Sequence, residues 1–491
     1  MQLALLSMTE TEEVELKLEL VPGDVERFRA LPLLGAPAHA AAPQVSTYFD
    51  TPEGHLRKDG FSLRVRRKGR RHVQTLKEKG GDAGGFSARA EWEQAISGPA
   101  LDLTLLESTP VAALLARKKV RNRLAIVSET RVDRTTWLLK RDGSTIELIL
   151  DVGEVVSGDR SEPVCEIELE LKRGSRAELF AFAREIGRAI PLRMGVMSKS
   201  ERGQRLAAKR PRQIRKAEPV DIPPGTAIAD AFALIVQSCL RHFRRNEPAV
   251  IADRDAEAVH QLRVATRRLR SAFTLFAPIV DSDEFDRLRV GFGALSNLLG
   301  TARDLDVTLV GLRGAEGPKK PLAAERRRLK GLRGGAYDML VATLCGEDLP
   351  HLILDLVAWA ESGEWRGTPR AQRSIEAFAE ERLGRLWRKV RKQGKHIESL
   401  DPEARHQLRI QVKKLRYGSE FFAGLALGSA RRWSNFNALL EQLQESLGKL
   451  NDLETARTMA PGTPDAHAVE GLLADAQRAA DGLREAGPYW R

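Results

Sequence analysis

The 491-residue sequence contains few cysteines, few aromatic residues and no long uncharged apolar run. Its three cysteines, Cys165, Cys239 and Cys345, stand far apart, which excludes both a disulfide framework and the paired spacing of a zinc site. No stretch approaches the roughly 20 apolar residues that span a bilayer, so we expect no membrane partner. The opening MQLALLSM has no basic flank and no small-residue cleavage site, which argues against a signal peptide. A cytoplasmic location is therefore expected.

Basic residues outnumber acidic ones, and the formal net charge is +12. Such a balance indicates an anionic partner, but by itself it does not distinguish nucleic acid, a membrane surface and a phosphate polymer. Aromatic residues make up only 5% of the chain, and its cationic segments carry none interleaved for base stacking. We therefore rank nucleic acid low among the candidate partners.

One proline-rich, cationic segment separates two regions with different apolar periods. This segment is KRPRQIRKAEPVDIPPGT, residues 209–226, and it fits neither the period of a strand nor that of a helix. Because the chain is also too long for one core, we predict a domain at 8–206, a linker at 207–225 and a domain at 226–491.

The first region alternates apolar and charged residues, which predicts an antiparallel β domain with a few helices, including one after Ser175. The predicted strands are VELKLEL, FSLRVRR, VQTLKEK, ARAEWEQA, TIELILDVGEV and CEIELELK. A sheet with one face in water explains such alternation in any single strand. Six strands repeat it, however, with acids and bases in separate groups and few neutral polar residues.

A closed barrel with these charges inside would need an anion for its lysines and arginines and a hard cation for its carboxylates. A phosphate chain with bound Mg²⁺ or Mn²⁺ supplies both, since guanidinium groups grip phosphate and carboxylates bind such ions. The sequence contains no evident Ser-His-Asp or Cys-His set, so positioning and charge neutralisation would carry the chemistry.

The second region reads as helical almost throughout, and it contains one motif twice. VHQLRVATRRLR spans 259–270 and RHQLRIQVKKLR spans 405–416. Each copy is followed by a Leu-Gly stretch, LLGTARDLDV or SLGKLNDLETA, whose RDLD and KLND segments we interpret as turns. The repeat predicts two similar halves, near 227–347 and 370–491.

On a helix, each motif copy places a histidine and three cations on one face and apolar residues on the opposite face. A single cationic helix face is usually solvated. Like charges at these spacings repel one another, however, and this destabilising repulsion occurs in both copies of the motif. A protonated histidine beside phosphate would be one more donor. We therefore expect one extended polyanion to contact both copies.

The first region resembles the CYTH domain, the triphosphate tunnel superfamily, in EVELK and in TYFDTP, LRVRR, QTLK, ARAEWE, RTTW, LDVGEV, CEIELELK and MSKSERG. The resemblance implies a closed eight-stranded β tunnel, a triphosphate substrate and a divalent cation, Mg²⁺ or Mn²⁺. It implies that substrate is held by Lys17, Arg64, Arg66, Lys77, Arg89, Arg134 and Lys199. It implies metal binding by Glu13, Glu15, Glu91, Glu93, Asp151, Glu168 and Glu170, with Lys17, Glu13 and Glu15 as the catalytic residues. Glu147 and Glu166 are alternatives, because a strand offset would exchange them.

The second region resembles the CHAD domain, most clearly in VHQLRVATRRLRSAFTLF. The resemblance implies an all-α domain of two pseudo-symmetric four-helix bundles that face a channel for inorganic polyphosphate. The residues it implies for binding are His260, Arg263, Arg267, Arg270, His406, Arg409, Lys413 and Arg416, with Arg241, His242 and Arg245 as candidates from the preceding helix.

The preferred interpretation is thus a metal-dependent inorganic triphosphatase joined to a domain that binds long-chain inorganic polyphosphate, with polyphosphate granules as a candidate location. One alternative is a non-catalytic polyphosphate-binding scaffold. Others are cyclisation of ATP and hydrolysis of thiamine triphosphate, which occur in the same superfamily. The sequence leaves open the physiological substrate, the preferred metal, the general base, the polymer length and the oligomeric state.

Overall fold

The structure is a computed structural model, and it describes residues 9–35, 39–78, 85–208, 214–312, 319–425, 427–459 and 466–490. The described residues of the N-terminal part form nine β-strands. They are β1 (Thr9–Leu20), β2 (His39–Asp50), β3 (Phe61–Lys68), β4 (Arg71–Glu78), β5 (Phe86–Ile96), β6 (Ala125–Arg141), β7 (Ser144–Ser157), β8 (Arg160–Arg173) and β9 (Leu192–Met194).

The strands form one antiparallel sheet that closes on itself. Its order is β5-β4-β3-β2-β6-β7-β8-β1-β9, and β1 also pairs with β5. Strands β1 to β8 therefore make a closed eight-stranded ring, and the short β9 pairs with β1 outside it. The predicted eight-stranded tunnel is confirmed.

Several charged residues of the strands, Lys17, Arg134 and Glu168 among them, face the inside of this ring. Arg134 on β6 donates to Glu168 on β8 at 3.2 Å, across the width of β7. Side chains two strands apart meet most readily on the concave face of a curled sheet. On β1, Lys17 is only 7% exposed and the alternate Leu16 is fully buried, so neither face of this strand lies in water. A sheet with one solvated face is thereby excluded for β1.

Short helices connect the strands, and two longer ones follow β8. The short helices are α1 (Val25–Arg29), α2 (His55–Lys58), α3 (Ala112–Leu115) and α4 (Lys118–Arg121), followed by α5 (Arg176–Ala189) and α6 (Lys199–Ala207). As predicted, α5 begins after Ser175, whose hydroxyl accepts from the Glu178 amide at 3.3 Å. Phe180 on α5 packs against Phe86 at the start of β5, with ring centroids 5.2 Å apart.

The C-terminal part is helical, as predicted. Its helices are α7 (Ile228–Asp253), α8 (Ala256–Val280), α9 (Asp283–Gly311), α10 (Lys319–Cys345), α11 (Asp348–Ser362), α12 (Ile375–Gln393), α13 (Pro402–Phe421), α14 (Ala430–Met459) and α15 (Ala466–Ala486). Single 3₁₀ turns lie at Pro22–Asp24, Pro32–Leu34, Thr104–Leu106, Glu364–Gly367, Ile397–Ser399 and Ala423–Leu425. Among the described residues, no helix is both long and apolar enough to cross a membrane.

The two Leu-Gly stretches lie inside helices, and their interpretation as turns was wrong. Gly300 lies within α9 and Gly448 within α14. A single glycine costs a helix only about 1 kcal/mol, which the packing of Leu299 and Leu447, both at most 2% exposed, offsets readily.

The contacts of the chain define two compact units. The first, unit 1, contains Met1–Lys216, Gln237–Arg263 and Ala294–Gly363, and the second, unit 2, contains Ala217–Val236, Val264–Gly293 and Glu364–Arg491. Unit 1 thus includes the closed sheet together with parts of α7, α8 and α9. Unit 2 has an aromatic core in which Phe276 lies 5.0 Å from Phe232 and 4.9 Å from Phe378, measured between ring centroids.

Candidate functional site

A buried group of three carboxylates lies inside the closed sheet. Asp151 on β7 faces Glu166 on β8 in the strand register, and Glu168 follows two residues later on the same side. Carboxylate oxygens of the three lie within 4.8 Å of one another. Asp151 is fully buried and Glu166 is 1% exposed. Three such charges in one buried group require cations to neutralise them.

Lys199, at the start of α6, supplies one of these cations. Its Nζ lies 2.7 Å from Asp151 and 2.8 Å from Glu168, and it also contacts Glu166. Burial opposes the charged form, but the carboxylates, Asp151 first, hold the pKa of Lys199 well above its usual value.

Arg134 and Lys17 complete this charge cluster. Arg134 makes a bidentate contact with Asp151, at 2.8 and 2.6 Å. Lys17 lies 3.6 Å from Glu15 and 3.8 Å from Glu168. Despite burial, the neighbouring carboxylates raise the pKa values of both Lys17 and Arg134. Both side chains therefore stay charged at any physiological pH.

A second group of charges lies on β3, β4 and β5. Lys77 contacts Glu91 at 3.0 Å, Arg64 lies 3.5 Å from Glu91, and Arg66 lies 3.8 Å from Glu93. Within the described part of the chain, the buried Nε atoms of Arg64 and Arg66 find no hydrogen-bond acceptor. A buried guanidinium nitrogen without an acceptor is costly, and a phosphate oxygen would satisfy it.

The acids and bases are interleaved in the fold, although they form separate groups along the sequence. The strand register explains this difference, because it places Lys17 opposite Glu168, Lys77 opposite Glu91 and Arg134 opposite Asp151. Each cation meets its carboxylate only through the register in which two strands pair, and the sequence alone does not show that register.

Two of the residues implied for the tunnel, Glu13 and Arg89, have side chains outside the described residues. Their backbones are paired with each other in the register of β1 and β5. Glu166 belongs to the carboxylate group with Asp151, whereas Glu170 and Glu147 both contact Lys172. Glu166 was only an alternative in the sequence interpretation, and the strand register places it in the buried group.

The donor set of this cluster fits a hard divalent cation. Carboxylate oxygens are the ligands preferred by Mg²⁺ and Mn²⁺. Glu15 is 5% exposed and contacts Lys17, which in turn contacts Glu168 of the carboxylate group. Asp151, Glu166 and Glu168 would hold such an ion, with Glu15 as a further candidate. The ammonium of Lys199 shows that the group already accepts a positive charge.

The buried carboxylates predict a loss of stability in acid. Burial raises the pKa of Asp151 and Glu168, but Lys199 and Arg134 outweigh it and lower both values. Carboxyls with depressed pKa values stabilise the fold above their unfolded pKa of about 4 and lose that contribution as the pH falls below it. In urea unfolding with EDTA, Asp151→Asn should therefore destabilise the chain clearly at about pH 7 and less at about pH 3, because the contribution is lost progressively as the pH falls towards the lower folded pKa. An equal difference at both pH values would contradict this prediction.

The repeated motifs form helices with the predicted faces. On α8, Leu262, Leu269 and Phe273 are at most 2% exposed, and on α13, Leu408 and Leu415 are fully buried. In unit 2, Arg267 donates to the Tyr417 hydroxyl at 2.7 Å, and Arg416 lies over the same ring at 4.9 Å. His406 lies 2.9 Å from the Asn451 side-chain oxygen. The functional assignment of Arg270, Arg409 and Lys413, and of His260 and Arg263 in unit 1, stays a prediction.

Three of the residues implied for polyphosphate have internal partners in unit 1. Arg241 and Arg245 both contact Glu201 on α6, and His242 Nε2 lies 3.0 Å from both Gln261 and the Arg215 carbonyl. Arg241 is 6% exposed and His242 is 4% exposed. A polymer would first have to displace these partners, so we do not include the three residues in the proposed polymer site.

Unit 2 contains a basic cavity of about 440 Å³ that sequence reasoning did not identify. Its described lining, which includes no carboxylate, consists of Thr274, Arg382, Arg385, Leu386, Arg388, Lys389, Gln411 and Lys414. Burial, Lys389 and Arg270 lower the pKa of Lys414, which indicates that the positive charges there repel one another. A signal was present, because Arg382, Arg385 and Lys389 follow the i, i+3, i+7 spacing of one helix face.

Family models match both parts of the chain. The CYTH domain matches residues 11–203, and the CHAD domain matches residues 234–461. The chain therefore carries a CYTH domain followed by a CHAD domain, and the resemblance seen in the sequence motifs is confirmed.

Relatives of each part are known. An inorganic triphosphatase of Haemophilus influenzae is 30% identical over 205 residues, which cover 40% of this chain and 56% of the relative. The chain thus spans about half the length of that curated relative. The CHAD domain from the plant Ricinus communis is 28% identical, covers 56% of this chain and 96% of its own, and has a TM-score of 0.46. A Hippeastrum protein described as a candidate adenylyl cyclase with a dominant triphosphatase activity is 24% identical, covers 38% and 92%, and has a TM-score of 0.31.

Proposed function

We propose that the CYTH domain hydrolyses inorganic triphosphate, or a related short triphosphate, with a divalent cation, and that the CHAD domain binds inorganic polyphosphate. The observation that carries the first part is the closed sheet with buried cations and buried carboxylates on one inner face. Lys17, Arg134 and Lys199 remain charged there. An enclosed set of this kind suits a phosphate chain better than a neutral substrate.

The two groups of charges suggest separate roles within the tunnel. Arg64, Arg66 and Lys77 would hold one end of the triphosphate, with Arg89 as a further implied contact. Lys17 and Arg134 would neutralise charge that develops at the reacting phosphoryl group, whereas Lys199 would hold that phosphate equally before and during the reaction. When bound by the carboxylates, Mg²⁺ or Mn²⁺ would add further charge neutralisation and order water near the phosphate.

The proposal for the CHAD domain rests on two features of unit 2. The motif helix α13 presents His406, Arg409, Lys413 and Arg416 on one face, and the cavity beside α12 is lined by cations only among its charged residues. Although Arg385 contacts Glu381 and Arg416 contacts Glu420, positive charge predominates along the cavity and the motif face, which favours a polyanion that reduces the repulsion between the cations. Arg263, Arg267, Arg270 and His260 are proposed for the same role on α8.

One set of assays tests the proposal directly. Phosphate release should be measured with inorganic triphosphate, ATP, thiamine triphosphate and long-chain polyphosphate, each with Mg²⁺, with Mn²⁺ and with EDTA. Release from triphosphate only with a metal, together with retention of the long polymer in EDTA, is the expected result. Polymer retention without any hydrolysis would instead identify a binding scaffold, and cyclic AMP from ATP would identify a cyclase.

A further inference from the structure

The segment that places Lys199 inside the sheet also contacts Lys17. This segment, residues 193–201, includes the end of β9 and the start of α6. The Gly195 amide donates to the Lys17 carbonyl at 2.9 Å, and a Cβ at Gly195 would lie 2.8 Å from Lys17 Cγ. Any shift of this segment would therefore move two of the charges in the candidate active site.

On its other side, the same segment is held by arginines of α7. Arg244 donates to the Met194 carbonyl at 3.2 Å, and Arg241 donates to the Val196 carbonyl at 3.3 Å. Arg193 in turn donates to the Leu344 carbonyl of α10 at 3.2 Å. All of these groups belong to unit 1. The segment thus lies between the tunnel and the helical part of the same unit.

Glu201 links these contacts to the start of α6. One of its oxygens accepts from the Ser198 amide at 3.1 Å, and the Ser198 hydroxyl accepts from the Glu201 amide at 3.2 Å, which together form a capping box. The other oxygen contacts Arg241, and it accepts from Arg245 at 2.7 Å. The residue after Ser198 is Lys199, so the capping box fixes the helix turn from which Lys199 projects.

We infer that Arg241 and Arg245 of the CHAD part are positioning residues for Lys199, acting through Glu201. This inference rests on the proposed function of the tunnel and adds a requirement to it: the CYTH domain reaches its full activity only with α7 in place. A lysine side chain is long and flexible, so it binds phosphate less well when its backbone is not held in position. The charge-assisted contacts of Arg241 and Arg245 with Glu201 hold the helix turn that carries Lys199.

The test uses Glu201→Gln in the full chain. Glutamine at the third helical position also completes a capping box, so the cap is kept while the negative charge that faces Arg241 and Arg245 is lost. We expect KM for inorganic triphosphate to rise about tenfold, with kcat changed less than about threefold, because Lys199 contributes to binding. Arg245→Gln, which leaves the more buried Arg241 in place, should shift KM in the same direction.

Asp355→Asn is the matched control. It breaks the 2.8 Å ion pair between Asp355 on α11 and Arg184 on α5, a contact outside residues 193–201 that also joins the CHAD part to the CYTH part. KM should stay at the wild-type value in this variant. If Asp355→Asn raised KM as much as Glu201→Gln, the effect would come from loosening any contact between the CHAD part and the CYTH part, and the inference would be overturned.

A second background separates positioning from folding. In a Lys199→Ala chain, Glu201→Gln should have no further effect on KM, since the side chain that it positions is gone. An equal rise in both backgrounds would overturn the inference. The Kd of tripolyphosphate, measured by calorimetry in EDTA, gives the same test without turnover. Glu201→Gln should raise this Kd about tenfold in the wild-type background and leave it unchanged in the Lys199→Ala background. A wild-type chain without triphosphatase activity would refute the proposed function, and the positioning role would then be decided by this Kd.

Discussion

Asp151→Asn is expected to lower the rate of metal-dependent triphosphate hydrolysis by about 100-fold or more, the usual effect of removing one well-placed electrostatic group from an active site. Asp151 is fully buried and contacts both Arg134 and Lys199, so its loss alters the proposed metal site and the position of two cations together. Initial rates of phosphate release at saturating Mg²⁺ or Mn²⁺ measure the effect.

Stability has to be measured with this variant, because breaking a buried ion pair typically costs about 3–5 kcal/mol. Asp133→Asn is the matched control, since Asp133 is the exposed neighbour of Arg134 on β6 and the change is the same. Its hydrolysis rate should equal that of the wild type. Retention of long-chain polyphosphate should be unchanged in Asp151→Asn. A folded Asp151→Asn chain with activity within about threefold of the wild type would refute the proposed role of the carboxylates.

The double variant Lys389→Gln with Lys414→Gln is expected to weaken binding of long-chain polyphosphate by about 10-fold or more. Both residues line the basic cavity of unit 2, and removing two cations from a polyanion site reduces the number of counterions that binding releases. The salt dependence of the affinity should therefore also become shallower, by about one to two units in the slope of log K against log salt. Affinity measured across a salt series tests both effects.

The matched control for this pair is Arg391→Gln with Lys392→Gln. These residues also lie on α12 and are exposed, but they do not line the cavity, and the change in net charge is the same. The control should weaken binding much less than the cavity variant, and triphosphate hydrolysis should be unaffected in both. Equal losses in the two variants would show that only overall charge matters and that the cavity is not a binding site.

Apolar alternation predicted most strands, but not β2, β6 and the three-residue β9. β2 begins HAAAPQVS, where small residues and a proline hide the period, and β6 carries buried Ser128 and Thr130 on its inward side. Neutral polar residues inside a tunnel look the same in a sequence as residues in water. Only the closed ring of hydrogen bonds, which joins β1 to β5, distinguishes the two cases.

The sequence predicted which residue types would face inward, but not which of them meet. The choice between Glu166 and Glu170 depended on the register of β7 against β8, and a shift of four residues would have placed Glu170 opposite Asp151. The contacts of Arg241 and Arg245 with Glu201 were hidden for a related reason. They join positions about 40 residues apart on either side of the proline-rich segment, where no local pattern connects them.

That proline-rich segment looks like a natural place to divide the gene, yet a cut there would separate groups that depend on each other. A fragment that ends before α7 would lose the arginine that contacts Glu19 at 3.3 Å and those that contact Glu201. Both carboxylates and the Met194 and Val196 carbonyls would then need water or salt as new partners. Under the proposed function, a comparison of the tunnel fragment with the intact polypeptide would therefore measure a tunnel that lacks these contacts, and the hydrolysis rate of the fragment would underestimate that of the undivided chain.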